Sequence, residues 1–502
     1  MLRTRAEATG YRETSLHADV MAFVEGLAAR GDARLHVTGF GYSPQGRELP
    51  LLVISTRGVR TPAQARAAGL PVVLVVDGIH PGEVEGKEAS LALVRDLLDG
   101  HPDSALLEHL TLLVAPLFNP DGNDALDPAN RRLDLAKLHG QLGPVVGTRT
   151  QSHGINLNRD YLRQAAPEMR LLQAGVCQPW APDLTIDNHA TNGSVHRFHM
   201  TVDVPHTVAS GRAEPIEFMR ARMVPDVMRA VRGHGFDSGW YGNFVEDERA
   251  LDGGSAVDGT GAVTEGWMTY PHHPRFGSNY RGLTNRLDVL LECYSYLSFE
   301  DRVATARAWQ IELLRWVATH PDDVCQVVAA SQTPPPEIAV RYRLEDFATP
   351  VEILTRTPRT LDGAPTSVHL PHRARFVAAT SVVRPHGYAV PAAMAAHLER
   401  HGLTVGTAAP ATVDASIARV EAVGREAGRG ILEAGDFGDL SVAWRDERRA
   451  LPPGYRVVTT SQPLGAIAVY LCEPESDDGA IENGVVGAVA AGDAFPIWRV
   501  HA

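Results

Sequence analysis

Residues 71–99, PVVLVVDGIHPGEVEGKEASLALVRDLLD, decide the fold of this chain. The apolar, β-branched run Val72–Val76 predicts a buried parallel strand, and the stretch from about Glu85 to Leu98 predicts a helix. A strand, a short loop and a helix form the βα unit of a parallel sheet, in which ligands gather beyond the carboxyl ends of the strands. His80 and Glu83 lie in the loop of this unit.

His80 and Glu83 are three residues apart, with Pro81 and Gly82 between them. This spacing suits two ligands of one divalent metal, an imidazole nitrogen and a carboxylate oxygen each about 2.0–2.2 Å from the ion. The alternative is an ordinary helix start, in which Glu83 favours the helix dipole and His80 only packs. The pair alone leaves both interpretations open.

Composition limits the partners of the protein. A net charge of −13, without an acidic tail, argues against nucleic acid or an anionic lipid surface. No apolar run approaches the ~20 residues of a membrane helix, and the N-terminal segment lacks the apolar core of a signal peptide. The four cysteines are scattered without paired spacing, which is typical of a reduced compartment. We therefore expect a cytoplasmic enzyme with neither a nucleic-acid nor a membrane partner.

Three further apolar runs predict buried strands at 110–118, 184–187 and 287–291. Polar residues follow each of them, in order the turn Asn119-Pro120-Asp121-Gly122, then His189, then Glu292. If these strands share one sheet with the first, their polar residues converge with His80 and Glu83 at its carboxyl edge. Such convergence favours the metal site over the helix start.

A length of 502 residues predicts two or three domains. The clearest linker is SQTPPP at 331–336, beyond which short alternating strands and one helix predict a smaller α+β or mostly β domain. We expect a catalytic domain at 1–325, a Pro-rich linker at 326–337 and an accessory domain of unassigned role at 338–502.

Four segments resemble, in their order, the zinc metallocarboxypeptidases of the carboxypeptidase A-like family. They are HPGE at 80–83, GTRTQSHGINLNRDY at 147–161, DNHATNGS at 187–194 and LLECYSY at 290–296. The PEMR at 167–170 resembles a bacterial branch of that family. The resemblance implies an α/β fold, with a carboxypeptidase-like mixed, mainly parallel sheet flanked by helices. It also implies hydrolysis of the C-terminal peptide bond of a peptide by metal-promoted attack of water.

The resemblance implies one Zn²⁺ per chain, held by His80, Glu83 and His189. Three protein ligands leave an open position for water, as a hydrolytic zinc site requires. Glu292 would be the general base that takes the proton of the water and passes it to the leaving amine.

The resemblance also implies the groups that hold the substrate. Asn158 and Arg159 match the pair that binds the free terminal carboxylate of a peptide, for which a guanidinium is geometrically suited. Arg149 matches the arginine that stabilises the oxyanion, with Arg131 and Arg132 as alternatives.

The family uses a mobile tyrosine that closes over the substrate. Tyr270 has the matching separation from Glu292, with Tyr280 as the alternative. His272, His273 and Arg275 lie in the same loop and, if they line the side-chain pocket, favour an acidic or polar C-terminal residue.

Two other functions remain open at this level. The first is an amidohydrolase of the aspartoacylase or desuccinylase kind, acting on N-acyl amino acids. The second is a non-catalytic binding protein that has kept the fold. The sequence assigns neither the oligomeric state nor the residue that is removed.

Overall fold

A computed structural model describes residues 2–191, 193–247, 265–406, 412–427 and 436–502. Part of a long irregular loop that we expect at 235–282, namely 248–264, lies outside the described residues. Within them, no helix is both long enough and apolar enough to cross a membrane. Cys177, Cys293, Cys325 and Cys472 are all free thiols.

The strands are β1 (Leu35–Tyr42), β2 (Glu48–Ile54), β3 (Val72–Val76), β4 (Thr111–Ala115), β5 (Leu184–Ala190), β6 (Met200–Asp203), β7 (Ser238–Trp240), β8 (Asn243–Phe244), β9 (Trp267–Met268), β10 (Leu287–Cys293), β11 (Glu337–Asp346), β12 (Val351–Thr357), β13 (Ala364–Leu370), β14 (His372–Val383), β15 (Gly387–Val390), β16 (Thr412–Ala427), β17 (Asp436–Ala450), β18 (Arg456–Thr459) and β19 (Trp498–Val500).

The α-helices of the described residues are α1 (Arg5–Thr9), α2 (His17–Ala28), α3 (Pro62–Ala68), α4 (Glu85–Leu98), α5 (Pro120–Asp124), α6 (Pro167–Leu172), α7 (Gln178–Trp180), α8 (Ala213–Phe218), α9 (Val224–Arg232), α10 (Gly277–Leu283), α11 (Phe299–Thr319), α12 (Pro321–Ala330), α13 (Ala392–Arg400) and α14 (Gly465–Cys472).

One eight-stranded mixed sheet organises the molecule, in the order β1-β2-β4-β3-β5-β10-β6-β7. Its centre, β4-β3-β5-β10, is parallel, whereas the hairpin β1-β2 and strand β6 run antiparallel to their neighbours. The predicted α/β class, with a mixed sheet flanked by helices, is confirmed.

The two faces of this sheet are covered by different parts of the chain. Alternate strand residues such as Val73 and Val75 face one core, where they meet α2, α4, α9 and α11. The other set, such as Leu74 and Val76, faces a second core, which contains α6 together with α13, α14 and strand β15 from beyond residue 337. Because side chains alternate across a strand, β2, β3 and β4 contribute to both cores, whereas the apolar residues of β5 contribute to the first core alone.

The βα unit forms as the sequence predicts, with β3 and α4 at the expected bounds. Gly78 has φ +70°, a backbone conformation that favours glycine. Gly86 lies in the first turn of α4, and a Cβ there would lie only 2.5 Å from the Cβ of Asn188. The start of α4 therefore packs directly on β5, which brings the loop between β3 and α4 close to that strand.

Two of the predicted boundaries are wrong in a way that matters. β5 and β10 extend to Ala190 and Cys293, so His189 and Glu292 lie within strands rather than beyond them. The strands continue because they pair with each other there, with His189 in register with Glu292. The predicted turn at 119–122 is instead the start of α5, since Asn119 caps the helix and Pro120 occupies its first turn.

The C-terminal part is rich in strands, as predicted. It contributes the hairpin β12-β13, the sheet β17-β16-β19-β15-β18, and two strands of the sheet β11-β14-β9-β8. The other two strands of that last sheet come from before residue 325, and α12 extends into the predicted linker. The division into domains at 325 and 338 stays a prediction, and the two parts share a core.

Candidate metal centre

Three buried side chains converge at the carboxyl end of the central strands. The Nδ1 atoms of His80 and His189 lie 3.2 Å apart. Oε2 of Glu83 lies 3.2 Å from Nδ1 of His80 and 2.9 Å from Nδ1 of His189. Ligands about 2.0–2.1 Å from a tetrahedral ion are separated by about 3.3 Å, so this triangle fits the donor set of a zinc ion.

The outer nitrogen of each imidazole has its own partner. Nε2 of His80 lies 2.9 Å from Oδ1 of Asn156, and Nε2 of His189 lies 3.2 Å from Oδ1 of Asp187. These acceptors favour the tautomers in which Nε2 carries the hydrogen and Nδ1 presents its lone pair to the centre. Hydrogen-bonded outer nitrogens are typical of histidines that bind a metal.

A buried ionic network supports His189 from behind. Arg281 Nη1 contacts Oδ2 of Asp187 at 3.1 Å and Oδ2 of Asp288 at 2.7 Å. Arg281 Nη2 donates to the hydroxyl of Tyr161 at 2.8 Å. Asp187 is thus held between one cation and one imidazole, which fixes the orientation of its carboxylate.

The electrostatics of the three side chains differ. Burial and the nearby Arg149 guanidinium lower the pKa of His80 to about 4, which keeps this imidazole neutral. Burial acts against the charged form of His189, but Asp187 raises the pKa of this imidazole well above its usual value. Burial opposes ionisation of Glu83 too, yet His80 and His189 hold the pKa of this carboxyl well below its usual range. The pocket therefore stabilises a carboxylate between two imidazoles.

Glu292 lies beside this triangle. In the parallel pair β5-β10 it is in register with His189, so the two side chains project from the same face of the sheet. Burial raises the pKa of Glu292 to about 8, with His189 opposing and Glu83 adding to this rise. A carboxyl group with a raised pKa is suited to accept and return a proton near neutrality.

Two arginines reach the other oxygen of Glu83. Arg131 Nη1 lies 2.9 Å and Arg149 Nη1 3.2 Å from Oε1. Arg131 also donates to Oε1 of Gln141 at 3.0 Å and to the carbonyl of Thr191 at 3.0 Å, so it is fixed to the protein.

The exposure of these arginines differs. The side chain of Arg131 is 10% exposed and that of Arg149 is 39% exposed. A Cβ on Gly82 would lie 2.4 Å from Cδ of Arg131, so the absence of a side chain there makes room for this arginine. Arg132, the remaining alternative, is exposed. Arg149 is therefore better placed than Arg131 to meet a substrate.

Asn158 and Arg159 lie in the single 3-10 turn Leu157–Arg159. Asn158 Nδ2 is 3.4 Å from Nε2 of His189, and its Oδ1 accepts the backbone N–H of Gly277 at 2.8 Å. The guanidinium carbon of Arg159 lies 3.9 Å from the ring centre of Phe276. Both predicted carboxylate-binding residues are thus buried, and Asn158 contacts the triangle directly.

The two candidate tyrosines have different surroundings. The hydroxyl of Tyr280 is 2.8 Å from Nδ1 of His401, in the core shared with the C-terminal part. Tyr270 lies in a separate small cluster with Phe276 and Leu290. The ring of Phe276 also touches Arg159, and the ring of Tyr270 packs against it, whereas Tyr280 meets Phe276 through a backbone hydrogen bond.

Two polar side chains of the 272–275 loop are engaged by the C-terminal part. Nε2 of His272 lies 2.8 Å from Oδ2 of Asp477, and Nη2 of Arg275 lies 2.6 Å from Oδ1 of Asp478. These contacts compete with the role that we considered for the loop, a basic lining of the side-chain pocket.

Sequence reasoning did not identify Asn156 and Asp187 as partners of the histidines. Asp187 precedes His189 by two residues in the same strand, so strand periodicity places both on one face. Asn156 lies two residues before Asn158, in the motif already singled out. The contact of Arg131 with Glu83 depends on the fold of the irregular segment 123–155, for which the sequence provides no periodicity.

Part of this chain is similar to known proteins. The sequence model of the family described as zinc carboxypeptidase matches residues 20–181. Cytosolic carboxypeptidase 6 of Mus musculus is 34% identical over 84 residues, which are 16% of this chain and 15% of that protein. The chain thus matches less than a sixth of the length of this curated relative.

Two of the solved structures to which this chain is similar come from bacteria. A metallo-carboxypeptidase from Burkholderia cenocepacia has a TM-score of 0.42 and 18% identity, over 62% of this chain and 71% of that chain. One from Pseudomonas aeruginosa, in complex with (2-guanidinoethylmercapto)succinic acid, has a TM-score of 0.41 and 19% identity, over 62% and 71% of the two chains.

The family match includes His80, Glu83, Arg149 and the 158–159 pair but ends before His189 and Glu292. The sheet brings those last two residues to the first group, by the pairing of β3 with β5 and of β5 with β10. The similarity of this chain to the zinc carboxypeptidase family model extends over residues 20–181, about a third of its length.

Proposed function

We propose that this chain is a zinc-dependent metallocarboxypeptidase that removes the C-terminal residue of a peptide. The observation that carries the proposal is the convergence of His80, Glu83 and His189, with Glu292 in register beside them. The match of residues 20–181 to the family model described as zinc carboxypeptidase supports the proposal. In this proposal His80, Glu83 and His189 hold one zinc ion per chain.

When bound, a zinc ion at this set polarises the scissile carbonyl and lowers the pKa of water. Glu292 accepts a proton from the attacking water and returns it to the leaving amine, for which its raised pKa is suited. Arg149 donates hydrogen bonds to the oxyanion that develops on the former carbonyl oxygen.

Asn158 and Arg159 bind the terminal carboxylate and so restrict cleavage to chain ends. The ring of Phe276 lies against the guanidinium of Arg159 and limits its movement. A guanidinium held in one plane binds a carboxylate bidentately at a small entropic cost. We assign the closing tyrosine to Tyr270, because the hydroxyl of Tyr280 is bound to His401.

The test is hydrolysis of matched peptides that differ only in their C-terminus, one with a free carboxylate and one amidated. We expect release of the terminal amino acid from the first peptide alone. The activity should disappear on treatment with a zinc chelator and return with added zinc. Equal cleavage of both peptides, or activity unaffected by zinc removal, would contradict the proposal.

A parallel panel of N-acyl amino acids tests the amidohydrolase alternative. The match of residues 20–181 to the zinc carboxypeptidases does not favour this alternative. Stoichiometric zinc with no turnover on either panel would indicate a binding protein. A cytoplasmic location also stays a proposal, and localisation of a tagged full-length chain checks it.

A further inference from the structure

The stretch 267–277, which leads to the candidate substrate site, is held by the C-terminal part of the chain. At its start, the backbone N–H of Trp267 donates to the carbonyl of Pro371 at 2.9 Å. The N–H of Thr269 donates to the carbonyl of Arg373 at 3.1 Å. Strand β9 is therefore an added strand on β14.

At its other end, the stretch is held by two consecutive aspartates. Oδ2 of Asp478 accepts the backbone N–H of Arg275 at 2.9 Å, and its Oδ1 accepts Nε at 3.0 Å and Nη2 at 2.6 Å. Asp477 contacts His272 through Oδ2 and accepts the hydroxyl of Tyr470 at Oδ1. Asp478 and Arg275 are both buried, so water competes little for this ion pair.

The residues that follow the clamped Arg275 contact both predicted carboxylate-binding residues. Phe276 lies against the guanidinium of Arg159, and the N–H of Gly277 donates to Oδ1 of Asn158. A Cβ on Gly277 would lie 2.8 Å from the ring of Tyr161, so the backbone here is fitted closely. Displacement of Arg275 would therefore move the contacts of Asn158 and Arg159.

Two histidines of this stretch form a second group of metal-type ligands with Asp477 of the C-terminal part, namely His272, His273 and Asp477. The two imidazole rings stack, with centroids 4.4 Å apart and planes inclined by 25°. The lone pairs of stacked rings lie in nearly parallel planes rather than pointing to one ion. One oxygen of Asp477 already accepts the hydroxyl of Tyr470. These features favour a structural contact over a metal site. We refer to Asp477 and Asp478, with the His272 and Arg275 side chains that they hold, as the clamp.

We propose that Asp478, assisted by Asp477, is a positioning residue for the carboxylate-binding site. By fixing Arg275 it sets the place of Phe276 and Gly277, so the C-terminal part of the chain determines how tightly the free carboxylate is bound. The inference rests on the proposed carboxypeptidase function and assigns a role to the C-terminal part.

The test compares the full-length zinc-loaded protein with Asp478→Asn and Asp477→Asn. Glu399→Gln is the matched control, because Glu399 is an exposed carboxylate of the C-terminal part that pairs only at the surface with Arg456. We expect KM for the free-carboxylate peptide to rise about tenfold or more in Asp478→Asn, with kcat much less affected. Asp477→Asn should show a smaller rise, and Glu399→Gln none.

Two further measurements distinguish a positioning role of Asp478 from a general loss of native structure in the variant. Zinc content should stay at one per chain, and hydrogen exchange should accelerate in peptides that cover 267–280 but not in the central strands. If Asp478→Asn fails to fold because the buried charge of Arg275 loses the Asp478 carboxylate, Arg275→Gln/Asp478→Asn removes both charges and should reproduce the KM effect.

The outcomes distinguish this inference from the proposed function. An active wild-type protein with unchanged KM and unchanged exchange in Asp478→Asn would overturn the clamp. Faster exchange in this variant of a protein that hydrolyses no peptide would support the clamp and contradict the peptidase. A second zinc ion that is lost in Asp477→Asn would overturn the clamp in favour of a metal site.

Discussion

Oδ1 of Asp187 lies 3.2 Å from Nε2 of His189, on the opposite side of the ring from Glu83. We expect Asp187→Asn to weaken zinc binding about 10–100-fold, because the amide no longer offers the negative charge that supports the imidazole. Competition with a calibrated chelator measures this affinity. The control is Asp183→Asn, directly before the first residue of the same strand, and equal affinities in the two variants would contradict the prediction.

Glu292→Gln should separate zinc binding from catalysis. The amide has the same shape but cannot accept the proton of the attacking water, so we expect kcat to fall about 10²–10⁴-fold. Zinc content should remain at that of the wild type, because Glu292 is not among the three converging ligands. Stopped-assay kinetics with metal analysis of the same sample checks both. Loss of zinc in this variant would instead make Glu292 a ligand.

The two arginines on Glu83 should respond differently to replacement by alanine. Arg149→Ala should lower kcat about 10²–10³-fold, the usual cost of losing an oxyanion donor, while the melting temperature stays close to that of the wild type. Arg131→Ala breaks a buried ion pair and should cost about 3–5 kcal/mol of stability. Thermal denaturation and kinetics of both variants provide the comparison. Reversed results would transfer the oxyanion role to Arg131.

The acid stability of the protein should depend on Asp477. Burial opposes its ionisation, but the nearby His272 imidazole holds the pKa of Asp477 well below its usual value. A carboxyl whose pKa is depressed on folding stabilises the native state above its unfolded pKa of about 3.9 and loses this contribution as pH falls through the folded pKa.

Asp477→Asn should therefore melt at a lower temperature than the wild type at pH 7, and the difference should narrow below about pH 4. Melting followed by circular dichroism between pH 7 and pH 3 checks this. A difference that is independent of pH would show that the charge of Asp477 is not its source.

Tyr280→Phe and Tyr270→Phe form a matched pair. Tyr280→Phe removes the hydrogen bond to His401 and should cost about 1 kcal/mol of stability with little change in kcat/KM. Tyr270→Phe should lower kcat/KM if this tyrosine closes the site. Parallel kinetics and melting of the two variants test the assignment, and the opposite pattern would make Tyr280 the closing residue.

The sequence was sufficient for the parts of the fold in which local pattern and tertiary context agree. The apolar run of β3 and the periodic helix α4 appear at their predicted bounds because both are set by local residues. The ends of β5 and β10 were misjudged because the polar residues His189 and Glu292 are kept in the strands by pairing with each other. Pairing between strands 100 residues apart leaves no local pattern.

In the candidate site too, contacts between residues close in sequence were predictable and contacts that depend on the tertiary fold were not. His80 and Glu83 are recognisable by their spacing, since one turn brings them together. The place of Arg131 beside Glu83 was not predictable, because its segment lacks periodicity and the contact depends on Gly82 leaving room. The engagement of Arg275 by Asp478 was also hidden, since 203 residues of chain separate the two.

The pairing of Arg275 with Asp478 also makes the order of synthesis relevant. The ribosome completes every catalytic candidate by Glu292, whereas Asp478 emerges after roughly 190 further residues, about 10–40 s later at 5–20 residues per second. During that interval a nascent chain has its candidate metal ligands, but the stretch 267–277 still lacks the contact between Arg275 and Asp478. If the proposed peptidase function holds, a substrate end would be held firmly only after Asp478 has been synthesised and has reached Arg275.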